Sequence, residues 1–268
     1  MTEARWVRIG VRLATGVTLV FMYLPLVILA IYAFNPSRLL VWPPTGFTLR
    51  WFADALANSS LHEAMVNSIV AATGATAIAL VLGTLASLAV QRFEFFGRDS
   101  ISFLFVLPIA LPGVVTGIAL QTAFRSVDIR LGLMTIIVGH ATFCVVLAYN
   151  NVVARLRRLP RSPEEASADL GASSFATFRR ITLPAMRTAL LAGGLLAFAL
   201  SFDEVIVTLF TAGPGTQTVP MWIYTAISGL PTELPVVNVV ALFLLILSVI
   251  PVYIAQRITG GEAAGARL

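Results

Sequence analysis

The stretch Arg155–Arg187 reads RLRRLPRSPEEASADLGASSFATFRRITLPAMR, and a long apolar run lies on either side of it. Seven of its residues are arginine, so it belongs in water. The flanking runs, about 131–150 and 187–210, are each near the roughly 20 apolar residues that a helix needs to cross a hydrocarbon core. A polar segment between two such runs marks a chain that passes through a membrane more than once. Working outward, four further apolar stretches appear at about 10–34, 67–90, 101–124 and 236–256. The pattern predicts an all-α membrane protein with six transmembrane helices. It forms one domain over 1–268, with the polar loop spanning about 155–186.

Composition agrees. Of 268 residues, 58% are hydrophobic and 12% charged, and mean hydropathy is +0.90. Soluble chains carry roughly 45–50% apolar and about 25% charged residues. The net charge of +5 does not point to nucleic acid, because the charges fall in short breaks and form no continuous face. The first apolar run exceeds a signal-peptide core of roughly 7–15 residues and has no small-x-small site after it. It is read as a retained helix. The single cysteine, Cys144, excludes an intrachain disulfide.

All 18 basic residues are arginine. A P-loop requires a lysine on the β- and γ-phosphates, so this chain does not bind ATP by that device. Nor can it form a lysine Schiff base. Any ATP that drives it is held by another chain. With the N-terminus inside, fourteen arginines face the cytoplasm: Arg5, Arg8, Arg12, Arg92, Arg98, the seven of 155–187, Arg257 and Arg267. Only four, Arg38, Arg50, Arg125 and Arg130, lie outside. The positive-inside rule then puts both termini in the cytoplasm. The external segment 36–66 holds Trp42, Pro43, Pro44, Trp51 and Phe52. It reads either as an interfacial aromatic belt or as a docking surface for an external partner.

The polar loop has its own grammar. Ser162 is placed to cap a helix, with Pro163 at its first position and Glu164 and Glu165 in its first turn. Glu165, three residues after Ser162, would close a capping box. This predicts a helix from about Pro163 to Leu170, ended by Gly171 at positive φ. Ser173 or Ser174 would cap a second short helix carrying Phe175, Phe178 and Ile181, and Pro184 would open the next span. Two capped helices with apolar side chains suit a segment resting on headgroups or a knob entering a partner's groove.

The order Glu165-Ala166-Ser167, three residues, Gly171, nine residues, Ile181-x-Leu183-Pro184 resembles the EAA loop of ABC importer permeases. Ser167 in place of the second alanine is the one departure. The runs IYAFNPS (31–37), GHATFC (139–144) and LSFDEVIVTLFTAGPGTQTVPMWIY (200–224) resemble the second permease of spermidine/putrescine importers. The resemblance covers most of the chain. It implies a type I ABC importer permease fold with cytoplasmic coupling helices at 163–184. It also implies an ATPase-coupling role for Glu165, Ala166, Gly171, Phe178, Ile181, Leu183 and Pro184. The partners it implies are two ATPase subunits carrying ATP and Mg, a second homologous permease and a periplasmic substrate-binding protein. The chain itself would be no enzyme and hold no cofactor.

Asp203 and Glu204 fall inside the fifth apolar stretch. A carboxylate there costs roughly 2.5–3.5 kcal/mol on insertion scales, so it faces a cavity or a partner. Asp203 stands about 24 Å along the span from Arg187, in its outer half. Neighbours on a helix point about 100° apart, so only one of the pair can face a narrow path, and Asp203 is preferred. Such a charge attracts a cation, and Trp222 and Tyr224 would add cation–π attraction. A structural ion pair, or a helix-end carboxylate facing water, is the alternative. The substrate class is therefore a small cation, with a polyamine implied by the resemblance. Two alternatives stay open: a proton-coupled secondary transporter using Asp203 or Glu204, and an ABC permease for another small solute. A membrane scaffold is a third, weaker rival.

The remaining features read as structure. His140 is either a gating group or a packing histidine. Gly113 and Gly117, and the pair Gly193-Gly194, suit close helix contact. Pro108 and Pro112 should kink the third span. His62-Glu63 lacks the second histidine of a zinc protease, and no Cys/His cluster has metal-ligand spacing.

Overall fold

A computed structural model of the chain describes residues 5–38, 41–229, 234–247 and 253, and these are helices joined by short connections. In chain order they are α1 Arg5–Ala33, α2 Arg50–Ala57, α3 Ser59–Arg92, α4 Arg98–Ala110, α5 Gly113–Ser126 and α6 Leu133–Leu156. There follow α7 Ser162–Asp169, α8 Ser174–Thr177, a π-helical turn Phe178–Thr182, α9 Leu183–Phe202, α10 Ile206–Thr211, α11 Val219–Ser228 and α12 Leu234–Leu247. Among the described residues, four helical stretches are long and apolar enough to span a membrane. They are Trp6–Ala33, Ser59–Arg92, Leu133–Leu156 and the continuous Ser174–Phe202. These coincide with the first, second, fourth and fifth apolar stretches. Much of the sixth, beyond Leu247, lies outside the described residues.

The third stretch is not one helix. Pro108 sits within α4, but the chain breaks at Leu111, which is extended at φ −81° and ψ 140°, and Pro112 opens α5. A proline disfavours the α conformation in its predecessor and supplies no amide of its own, and at Leu111-Pro112 the expected kink becomes a full break. The fifth stretch is also interrupted, at residues 203–205, between α9 and α10.

The chain divides into two units, Met1–Ser59 with Ile223–Val249, and Ser60–Trp222 with Ile250–Leu268. In the first, the most apolar stretch of α1 has no buried residue, and only Ala33 at its end is buried. Side chains such as Val17, Phe21 and Tyr23 stand outward along its length, which only a lipid or protein surround makes favourable. Asn35 organises the loop behind it. Its Oδ1 accepts from the Ser37 and Thr45 amides, and its carbonyl accepts the Trp51 indole N–H at 2.8 Å. Trp51 is thereby buried, with the Arg38 and Arg50 guanidiniums over its ring. Phe52 packs on Phe34. Of the aromatic residues in 36–66, Trp42 and Phe47 stay exposed.

The second unit is built on α6, the most buried of the long helices. Small residues let its neighbours close in. A Cβ on Gly83 would fall 2.8 Å from the Tyr149 amide, and one on Gly193 would fall 3.3 Å from the Ala148 Cα. This is the packing by which helices associate where lipid removes the hydrophobic drive between them. Ala79, Phe143, Cys144, Ala148, Ala197 and Val207 fill the centre. Ser87 donates to the Gly83 carbonyl, so its hydroxyl is satisfied within the bundle.

Candidate functional site

Two places carry the residues that the sequence singles out. The first is the segment 161–184. α7 begins one residue earlier than expected. Ser162 is inside the helix, Arg161 is the cap residue, and its carbonyl accepts the amides of Glu164 and Glu165 at 2.9 and 3.0 Å. The Ser162–Glu165 capping box is therefore not formed. The acidic turn is recruited elsewhere: Glu164 pairs with Arg92 at 2.9 Å and accepts the Thr182 hydroxyl on the same oxygen at 2.8 Å. Arg161 also donates to the Gln91 carbonyl at 2.8 Å. α7 is thus tied to the end of α3 and to the threshold of α9. Glu164, Arg92 and Thr182 were not among the residues singled out for coupling. Their one signal in sequence was a carboxylate in excess of what the cap required.

The turn after α7 matches its reading. Gly171 has φ +77°. Its amide bonds to the Ala168 carbonyl, and the Ala172 amide bonds to the Ser167 carbonyl. This pair of bonds is the Schellman closure of a helix C-terminus. Ser173 caps α8 by accepting the Ala176 amide at 3.3 Å. Ser167, the departure from the EAA pattern, stands 2.9 Å from the Thr177 hydroxyl and joins α7 to α8.

The result is a bent knob. Glu165, Ala166, Gly171 and Pro184 are exposed. Leu170 and Phe175 point almost wholly to solvent, at 88% and 71% exposure, and are its most prominent apolar groups. Phe178 does not. It packs on Val152, Leu156 and Met186, while Ile181 and Leu183 are half-buried. The knob therefore has an outward face around Leu170 and Phe175 and a root around Phe178.

The second place is the break between α9 and α10. Asp203 ends α9 and its side chain is exposed. Among the described residues no donor reaches its carboxylate. Glu204 turns the other way: its Oε1 accepts the Val207 amide at 2.8 Å and so caps α10. The break thus separates the two carboxylates.

α10 is held firmly. A Cβ on Gly117 would come within 2.5 Å of the Phe210 ring, and one on Gly113 within 3.3 Å of Ile206, so these glycines seat α10 on α5. Gln121 donates to the Phe210 carbonyl and Thr135 to the Thr211 carbonyl. His140, fully buried, bonds Ser201 at 2.8 Å and Thr208 at 2.9 Å. Trp222 is also buried, its indole N–H given to Ser60 at 3.0 Å. Tyr224 is half exposed. Among the described residues no His/Cys/Asp/Glu group could hold a metal ion.

Residues 79–260 match the family described as binding-protein-dependent transport system inner membrane component. The chain is 36% identical over 215 residues to the putrescine transport system permease protein PotI of Escherichia coli K12, covering 77% of this chain and 76% of PotI. It is 34% identical over 247 residues to the spermidine/putrescine transport system permease protein PotC of the same organism, covering 91% of this chain and 92% of PotC. A chain of a bacterial ABC transporter involved in alginate import superposes with a TM-score of 0.72, at 16% identity, covering 97% of this chain and 99% of that one. A chain of the MetNI methionine ABC transporter does so at 0.57, with 17% identity, covering 78% and 97%. These two establish a shared helical fold. By the family match and the extent of identity, the chain belongs to the binding-protein-dependent transport system inner membrane components.

Proposed function

We propose that this chain is the permease subunit of an ATP-driven importer of polyamines such as putrescine or spermidine. One observation carries the reading: identity of 34–36% to putrescine and spermidine/putrescine permeases. The exposed Asp203 carboxylate at a helix break adds a chemical reason, since an ammonium substrate needs a negative partner. The chain is a transport subunit and not an enzyme. A paired permease completes the path, two ATPase subunits hydrolyse ATP, and an external binding protein delivers the solute.

In this reading the single permease domain crosses the inner membrane six times with both termini in the cytoplasm. The knob enters a cleft on the ATPase, with Leu170 and Phe175 as its apolar contacts beside Glu165, Ala166 and Gly171. Ile181, Leu183 and Pro184 lead it into α9, and Phe178 anchors it. Asp203 lines the path. Glu204 fixes α10, and Trp222 supports the structure rather than touching solute. Tyr224 is half exposed, as a cation–π partner must be. The proton-driven alternative gives way to family membership. The test is uptake by the assembled complex in vesicles, with ATP or with a proton gradient as the only energy source. Uptake with ATP alone supports the importer. Uptake with the gradient alone overturns it.

A further inference from the structure

The break at 203–205 lies in a run with no proline, and its only glycines are ten residues away at 193 and 194. Sharp kinks usually have one of those causes, or a group inserted into the ladder. Here the Glu204 carboxylate takes the Val207 amide at the break, and a single imidazole bridges its two sides. His140 Nδ1 lies 2.8 Å from Ser201 Oγ, in the last turn of α9, and Nε2 lies 2.9 Å from Thr208 Oγ1, in the first turn of α10. Ser201 and Thr208 are seven residues apart. In a straight helix they would be separated by about 10.5 Å of rise. One ring and two hydrogen bonds fit a bent chain better than that straight one.

The Thr208 hydroxyl also bonds to the Glu204 carbonyl at 3.0 Å. The chain of bonds ends on a carbonyl freed by the break itself, beside Asp203. α6 can approach this closely because Gly139 precedes His140; a Cβ there would lie 3.3 Å from both Val207 and Thr211.

We propose that His140 is a positioning residue that sets the bend between α9 and α10 and thereby aims the Asp203 carboxylate. The action through Asp203 rests on the substrate-path reading given above. His140 touches no solute in this scheme.

The test uses the assembled complex in vesicles. Thr208→Val and Ser201→Ala each remove one bond, and Thr208→Ser keeps the hydroxyl. Two quantities are read: the thiol-labelling rate of a cysteine at position 203 in a Cys144→Ala background, and polyamine uptake with Asp203 intact. Thr208→Val is expected to change labelling severalfold and to slow uptake severalfold, and Thr208→Ser to restore both. In an Asp203→Asn background, Thr208→Val should add no further loss of uptake. Wild-type labelling in both Thr208→Val and Ser201→Ala overturns the positioning role. Losses that multiply in the double variant overturn action through Asp203. If Asp203→Asn alone transports at the wild-type rate, the substrate-path reading fails, and labelling at 203 still decides whether His140 sets the bend.

Discussion

Glu164 and Arg92 stand 72 positions apart in sequence and 2.9 Å apart in the fold, and both side chains are largely shielded, at 22% and 14% exposure. The pair ties the first helix of the knob to the end of α3. Thr182, on the same carboxylate oxygen, ties it to α9. In the proposed coupling, a push on the knob would be shared by two long helices.

Removing the charge from one side should loosen the knob. A hydrogen bond to a charged group contributes roughly 1.5–3 kcal/mol, and losing one partner leaves the other unpaired. Glu164→Gln is expected to lower both ATPase co-purification and uptake. Arg92→Gln should do the same, and the double variant should lose little more than either. Fully additive losses would mean that the two residues act separately.

Gly171 is required for its backbone angle and not for space. Nothing lies within 4 Å of where its Cβ would be. The left-handed region costs an ordinary residue roughly 1–2 kcal/mol, and a β-branched one more. Uptake should therefore fall in the order Gly, Asn, Ala, Val, with the chain still inserted. Equal uptake by Gly171→Val and wild type contradicts the role given to this turn.

The outward and rooted faces of the knob should separate in experiment. Leu170→Ser and Phe175→Ser remove exposed apolar surface, so they should weaken ATPase co-purification and leave the thermal stability of the chain unchanged. Phe178→Ala removes a group packed on Val152, Leu156 and Met186. It should lower stability first. Loss of stability in the first two variants would place their side chains in the chain's own core.

Sidedness is checked with single cysteines in a Cys144→Ala background. A cysteine at Ser228 should react with an impermeant thiol reagent from outside. One at Ser162 should react only after the membrane is opened. The reverse pattern would remove the knob from the cytoplasm and with it the proposed coupling.

What was legible in sequence follows the range of the forces involved. The positive φ at Gly171 and the Ser173 cap are local, and residues within one turn encode them. Ser162 does not cap because the helix starts one residue earlier, with Arg161 as the cap, and Glu164 answers to Arg92 and Thr182, which no short window contains. Hydropathy averaged over a window sees 187–210 as one span, since the apolar residues on both sides outweigh Asp203 and Glu204 at the break. His140, which bridges the break, is 61 and 68 positions from the hydroxyls it bonds. The expectation for Asp203-Glu204 assumes a continuous helix, on which adjacent side chains cannot share a direction, and the chain is broken there instead. The structure divides them: Asp203 is exposed and Glu204 caps α10.

The central claim is that a cation passes the Asp203 carboxylate. The direct measurement is initial uptake of labelled putrescine and spermidine by vesicles containing all subunits, for wild type, Asp203→Asn and Glu204→Gln. Asparagine keeps the shape and deletes the charge, so assembly should survive and the binding protein's affinity should not change. The account predicts ATP-dependent uptake of both amines by wild type and a severalfold slower rate in Asp203→Asn. The effect in Glu204→Gln should be smaller. Wild-type rates in both amide variants, or a wild type that moves only anionic or neutral solutes, would contradict it.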